Sequence, residues 1–257
     1  MKIIVCIKQV PDTTDIKWTE NNTMQREGVE SIINPCDLYA IEEAVKIKKT
    51  FPDSEITALT MGPLQAEEIL RKAISLGCDR GILLSDKKFA GADTYATGKT
   101  LAAAIKSKIS DFDLIFCGQF AIDGDTAQTG PIIASLLNIP QVTFTQKLLR
   151  LEANLIYATR EIEEGYETIK VELPALICIL NGEYETSRPT INGTIQANKA
   201  EIETYTHEDI GLSPDDVGIK GSPTYVSKAF RPEHDRVCHF VYSDEAFYNK
   251  LKEYSDE

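Results

Sequence analysis

The sequence predicts an α/β fold: a parallel sheet flanked by helices in a Rossmann-like arrangement, with an appended antiparallel hairpin and an irregular C-terminal arm. Three observations lead there. Short unbroken apolar runs alternate with helix-periodic segments through the first two-thirds of the chain. Such runs suit strands covered on both faces, which is the situation of a parallel sheet between crossover helices. At 142–181 the pattern changes to β-rich runs split at Asn154 and Gly165, as in a hairpin. Beyond Glu183 periodicity fades into Pro, Gly, Thr, Asn and charge.

The elements follow in order. Residues 2–7 (KIIVCI) read as a first strand. NPCDLYAIEEAVKIKKT then places Leu38, Ile41, Ala44, Val45 and Ile47 at helical spacing, with Asp37 as the expected N-cap. ITALTM (56–61) is a strand ending at Gly62-Pro63, and 64–76 is a helix with Ile69, Leu70, Ala73 and Ile74 inward. RGILL (80–84) is a strand, and 93–108 a helix capped by Asp93 or Thr94. FDLIFC (112–117) is a strand, followed by a helix from about 125 to 138. The stretch 184–236 is too long for an ordinary loop and is expected to pack on a partner. Residues 243–254 recover a helix, capped by Ser243, with Phe247, Leu251 and Tyr254 on one face. The expected organisation is therefore a nucleotide-binding α/β domain over 1–183, hairpin included, and an arm with its helix over 184–257. Tyr205, Tyr225, Phe230 and Phe240 are its candidate anchors.

Composition narrows function. The 257 residues carry 27 Lys and Arg against 40 Asp and Glu, a formal net charge of −13. An acidic surface disfavours nucleic acid and anionic membranes, and suits a partner with a basic face. No apolar run approaches a membrane span. The opening MKIIVCIKQV is too short in its apolar part for a signal peptide, so a cytoplasmic protein is expected. The six cysteines (6, 36, 78, 117, 178 and 238) form no CxxC pair, which points to reduced, structural thiols. The three histidines (207, 234 and 239) all lie late in the chain, away from any acidic helix repeat, which disfavours a zinc or His-based acid–base centre. GxGxxG after the first strand, a Walker loop and GxSxG are all missing.

The informative segment is 117–131, CGQFAIDGDTAQTGP. It follows a strand and precedes a helix, so it lies at the carboxyl edge of the sheet, where ligands of open α/β folds bind. Gly118, Gly124 and Gly130 permit close backbone approach. Asp125 and Gln128 have capping-box spacing; alternatively the regular helix starts at Pro131, with Thr129 or Gly130 as cap. Either way a helix amino terminus faces the edge and suits a phosphate, while the acids suit sugar hydroxyls or backbone amides. Cys6, Met61 and the Asn34–Asp37 turn converge on the same edge.

Taken together, VCIKQVPDT, REGVESIINPCDLYAIEEAV, TMGPLQAEEILRKAISLGCDRG and CGQFAIDGDTAQTGP resemble the beta subunit of the electron transfer flavoproteins. The resemblance implies an adenine-nucleotide alpha-hydrolase-like fold and a larger alpha subunit as partner, which carries an FAD. It implies AMP as a structural ligand in conventional members, or in bifurcating members an FAD that takes a hydride from NADH. The implied cofactor-binding residues are Cys6, Asn34, Pro35, Cys36, Asp37 and Met61, then Asp93 and Thr94, then Phe120, Ala121, Ile122, Asp123, Gly124, Asp125, Thr126, Ala127, Gln128, Thr129, Gly130 and Pro131. No side-chain catalyst is implied, because the flavin performs the redox chemistry within an oxidoreductase complex.

Gly124 stands where conventional members carry a third acid, and LLSDKKFAGADTYATGKTLA (83–102) is similar to subunits accompanying anaerobic lactate dehydrogenases. Both cues imply the bifurcating type, with small Ala90, Gly91 and Ala92 as a far wall for the flavin ring. The implied partners are a flavin dehydrogenase, acting on a 2-hydroxy acid (lactate) or an acyl-CoA, and ferredoxin or flavodoxin. The segment 184–203, where acyl-CoA dehydrogenases dock in many members, is shortened here, which points towards another dehydrogenase. Two rival readings remain: a non-redox AMP-binding scaffold, and an ATP-using relative, which would carry an SGGxDS loop that is missing after the first strand.

Overall fold

The computed structural model describes residues 1–12, 31–182, 185–227 and 240–255. The chain runs β1 (Lys2–Cys6), β2 (Gln9–Pro11), β3 (Ser31–Ile33), α1 (Pro35–Thr50), β4 (Glu55–Met61), α2 (Glu67–Leu76) and β5 (Arg80–Leu84). It continues with α3 (Thr94–Lys108), β6 (Leu114–Gly118), α4 (Thr129–Leu137), β7 (Gln141–Glu152), β8 (Leu155–Ile162), β9 (Gly165–Glu172) and β10 (Ala175–Ile179). Last come α5 (Ile191–Lys199), β11 (Ile202–Tyr205), α6 (Gly218–Gly221) and α7 (Asp244–Ser255). Nine strands form one sheet in the order β11-β5-β4-β1-β6-β10-β7-β8-β9. From β11 to β7 every pairing is parallel, and β7, β8 and β9 form an antiparallel meander.

Both faces of the parallel part are buried, and strand side chains alternate between two apolar layers. In β1, Ile3 and Val5 face a core shared with Ala40, Ile41 and Ala44 of α1 and with Leu70 and Ala73 of α2. Ile4 and Cys6 face the other core, with Leu101, Ala104 and Ile105 of α3 and Ile133 and Ala134 of α4. Thus α1 and α2 cover one face, and α3 and α4 the other. Adjacent β1 and β6 therefore lead to helices on opposite faces. Such a reversal opens a crevice at their carboxyl ends, where ligands of these sheets sit.

Several expectations change. Residues 142–181 are more than a hairpin: three strands run as a meander, then β10 slots between β6 and β7. The expected boundary at 183/184 comes too early for the sheet. Beyond it, β11 pairs with β5 along Ile202–Tyr205, and Ala197 of α5 joins the core beside α2. Tyr205 lies in β11, its hydroxyl donating to Glu203 at 2.7 Å, and is not an arm anchor. The 191–222 stretch is therefore held by its own sheet, and the arm proper narrows to the residues beyond 222. There Tyr225 and Phe240 are 84% and 76% exposed. The Ser243 hydroxyl accepts the Ala246 N–H at 3.2 Å, as expected of a cap. Phe230, Cys238, His234 and His239 lie outside the described residues. Among the described residues no helix is long and apolar enough to cross a membrane.

Candidate nucleotide site at the sheet edge

Every residue expected at the site lies on the carboxyl edge. Cys6 and Met61 end β1 and β4, Asn34–Asp37 open α1, Asp93 and Thr94 open α3, and 120–131 link β6 to α4. Hydrogen bonds lock much of this edge. Asp37, expected as the cap of α1, lies inside the first turn; Asn34 occupies the cap position without a side-chain cap bond. Asp37 instead bridges the crevice: its carboxylate accepts the Lys8 N–H at 2.7 Å and the Gly118 N–H at 3.0 Å. Burial pushes its pKa up to about 7, against the opposing pull of those amides. Asn34 clamps the loop after β6, donating to the Phe120 carbonyl at 2.7 Å and accepting the Ile122 N–H at 3.1 Å. Lys8 reaches Asp123 at 2.5 Å.

The loop itself departs from the expected helix start. Regular helix begins at Thr129 with Gln128 at the cap position and no side-chain cap bond, so neither the box opened by Asp125 nor a cap at Thr129 or Gly130 is used. Asp125 and Ala127 take left-handed φ values of 50° and 56°. A left-handed Ala127 followed by Gln128 at φ −105°, ψ −27° turns successive N–H groups to one side. That concavity suits an anion, and it adds to the free amides of the first turn of α4. Among the described residues, the N–H groups of Thr126, Ala127 and Gln128 find no backbone acceptor.

The glycines here differ in kind. A Cβ on Gly118 would lie 2.2 Å from the Asp37 carboxylate, and one on Gly130 would lie 2.5 Å from the Cys178 sulfur. Both are demanded by packing. A Cβ on Gly124 would meet nothing within 4 Å, so the protein itself leaves room there. Gly91, expected in the far wall of a ring site, has its open side filled by Ile219. Asp93 is the N-cap of α3, accepting the Ala96 N–H at 2.9 Å. The Thr94 hydroxyl donates to the Gln128 side-chain carbonyl at 2.9 Å, joining two expected site residues across the edge.

Cys6, Cys117 and Cys178 stand in register on β1, β6 and β10, beneath α4. The neighbouring Cys6 thiol and burial raise the Cys117 pKa, and burial pushes Cys178 to about 12. These two are neutral packing groups at physiological pH, not nucleophiles. All five described cysteines are free and buried.

Sequence reading missed Gln119 and Asn181. Buried Gln119 accepts the Phe144 N–H at 2.5 Å, tying the loop to the meander. Asn181 accepts the Cys36 S–H at 2.9 Å. A polar residue closing an apolar run, Gln119 just past β6 and Asn181 two residues past β10, was the available signal. His207, which no sequence motif singles out, is buried and sits 2.6 Å from Asp86.

Comparison with known proteins adds the missing context. The pattern of the "Electron transfer flavoprotein domain" matches residues 21–210. The chain is 45% identical to "Caffeyl-CoA reductase-Etf complex subunit CarD" of Acetobacterium woodii, over 90% of this chain and 88% of that protein. It is 43% identical to "Electron transfer flavoprotein subunit beta" of Thermoanaerobacterium thermosaccharolyticum, over 98% and 94%. It is also 43% identical to "Acryloyl-CoA reductase electron transfer subunit gamma" of Anaerotignum propionicum, over 90% and 89%. A match of this length takes in the sheet, the crevice between β1 and β6 and the loop above it, and the chain belongs to the electron transfer flavoprotein family as a beta-type subunit.

Proposed function

We propose that the crevice between β1 and β6 binds FAD, and that the subunit works in flavin-based electron bifurcation with NADH as hydride donor. The observation that carries this reading is the open space at Gly124 beside the Ala127–Gln128 concavity. Backbone amides of 127–129 would hold phosphate oxygens, and the carboxylate of Asp125, exposed on the loop, is free to accept sugar hydroxyls. When bound, the flavin would supply the two-electron chemistry, and the protein's part is to seat it. The left-handed loop fixes the anion-binding amides, Asn34 and Asp37 tie the start of the loop to the entrance of α1, and Thr94 steadies Gln128.

The alpha subunit is proposed to cover the arm, where Tyr225, Val226, Phe240 and Tyr242 are all more than three-quarters exposed. For the dehydrogenase, two relatives name CoA-thioester reductases, which favours a CoA-thioester partner over a 2-hydroxy-acid one. Ile191 and Ile195 on α5, 82% and 47% exposed, offer it an apolar contact. Ferredoxin or flavodoxin would take the low-potential electron.

A flavin count on the purified heterodimer tests the central claim. Two FAD per dimer is the expected result. One FAD with one AMP would replace it by the non-redox scaffold reading.

A further inference from the structure

We infer that Asp93 is a positioning residue linking the C-terminal arm to the nucleotide loop, so that partner docking on the arm and nucleotide binding strengthen one another. The inference rests on the reading of 118–131 as the nucleotide loop and of the arm as the docking segment. Capping α3 needs one carboxylate oxygen, and Asp93 uses one for the Ala96 N–H. Its other oxygen accepts both the N–H and the hydroxyl of Thr224, at 3.0 and 2.7 Å. Its own N–H donates to the Ser222 hydroxyl at 2.8 Å, which in turn donates to the Gly218 carbonyl at 2.7 Å. Three of these four contacts on Asp93 come from the arm and its root, about 130 residues away in sequence, as the separations of 129 and 131 record. Nothing in helix capping calls for them.

The path continues on both sides. Thr94, the next residue, gives its hydroxyl to Gln128, which directly follows left-handed Ala127. Gly98 of α3 packs so closely on Ile132 of α4 that an added Cβ would lie 2.5 Å from it. The start of α3 therefore cannot move without disturbing the loop above α4. On the arm side, Lys99 holds Asp216 at 2.7 Å, and Ile219 fills the space at Gly91. Immediately past Thr224 the chain turns outward, with Tyr225 and Val226 at 84% and 79% exposure. An arm anchored only at Thr224 leaves Asp93 more often than one held also by a partner beyond it. Each release frees the start of α3 and, through Thr94, the acceptor of Gln128. Linkage between two such sites is reciprocal: whatever factor docking adds to nucleotide affinity, nucleotide adds to docking.

The test compares FAD and AMP affinity of the full chain alone and in the heterodimer, for wild type, Thr224→Val, Ser222→Ala and Thr224→Ser. Docking should tighten the wild-type affinity by about five-fold or more. Thr224→Val and Ser222→Ala should bring that ratio towards one, and Thr224→Ser, which keeps the hydroxyl, should restore it. The heterodimer dissociation constant, measured with and without FAD, should change by the same factor. A purely structural cap would leave the ratio and that factor unchanged in both arm variants, and this result overturns the inference. So does a wild-type ratio of one. If wild type binds neither FAD nor AMP in either state, the nucleotide site itself is misassigned, and the linkage falls with it.

Discussion

Asp37 spans the crevice with a carboxylate whose ionised form is penalised by burial, and its pKa lies at about 7 where an unfolded chain holds it near 3.8. The folded state then binds the proton more tightly than the unfolded one. The associated stability is fully present below about pH 3.8 and is lost as pH rises through about 7, some 4 kcal/mol at about 1.4 kcal/mol per tenfold. Chemical denaturation between pH 4 and pH 8 should show that decline, and Asp37→Asn should flatten it; a carboxyl carbon signal titrating near pH 4 would contradict it. At the other end of the loop, Gln128→Ala and Thr129→Ala should each weaken FAD or AMP binding by about 1 kcal/mol, near five-fold, as a lost neutral hydrogen bond does. Calorimetric titration reads this directly. The two kinds of glycine separate in one thermal-unfolding experiment. Gly118→Ala pushes a methyl against Asp37 and Cys36 and should cost about 1–3 kcal/mol. Gly124→Asp should leave the melting temperature of the nucleotide-free protein unchanged while lowering FAD occupancy of the heterodimer. Full occupancy in that variant would mean that the space at Gly124 is not used by the flavin.

At the scale of elements, β1, β4, β5 and β6 and the helices α1 to α4 were legible because each is an apolar run or stripe several residues long, and many weak signals add. The strands KIIVC and LIFCG carry almost no polar residue, which only a doubly covered sheet tolerates. Less legible were features decided by a single contact. Asp37 has an N-cap's chemistry and sits near a helix start, yet the amides of Lys8 and Gly118 lie closer to hand than those of its own turn. The spacing of Asp125 and Gln128 fits a capping box, but left-handed Asp125 and Ala127 move the helix start to Thr129. The arrangement of β10 was hidden because strand order within a sheet leaves no local trace. Likewise β11 is only four residues long, too short to stand out from the polar stretch around it. The residues expected at the site share the carboxyl edge, which strand ends and helix entries made legible, whereas Gln119, Asn181 and Lys8 bond to partners far away in sequence.

For the whole molecule, the sheet ends differently on its two sides. β11 covers β5 on one side, and the chain then leaves the body after Thr224, where Tyr225, Val226 and, farther on, Phe240 and Tyr242 are in water. α7 presents Phe247, Tyr248 and Leu251 at 54%, 60% and 51% exposure. Ordering backbone costs about 1–2 kcal/mol per residue, so such a segment gains stability only by burying that surface against something else. Limited proteolysis of the subunit alone should cut beyond residue 224 and spare 191–222, which the sheet holds; in the heterodimer the later sites should be protected. Cutting within 191–222 in the free subunit would show that β11 does not secure it. The insertion of β10 also gives the chain a history. While a ribosome is still making the protein, β1 can pair with β4 and β6 as soon as each has emerged, but the far edge of β6 stays bare until the whole meander has been made and Ala175–Ile179 arrives. For that interval LIFCG offers an uncharged row of unpaired amides and carbonyls to any neighbouring nascent chain, a known route to misassociation. Slow or crowded synthesis should therefore harm the yield of this subunit well before residues 180–257, the arm included, exist.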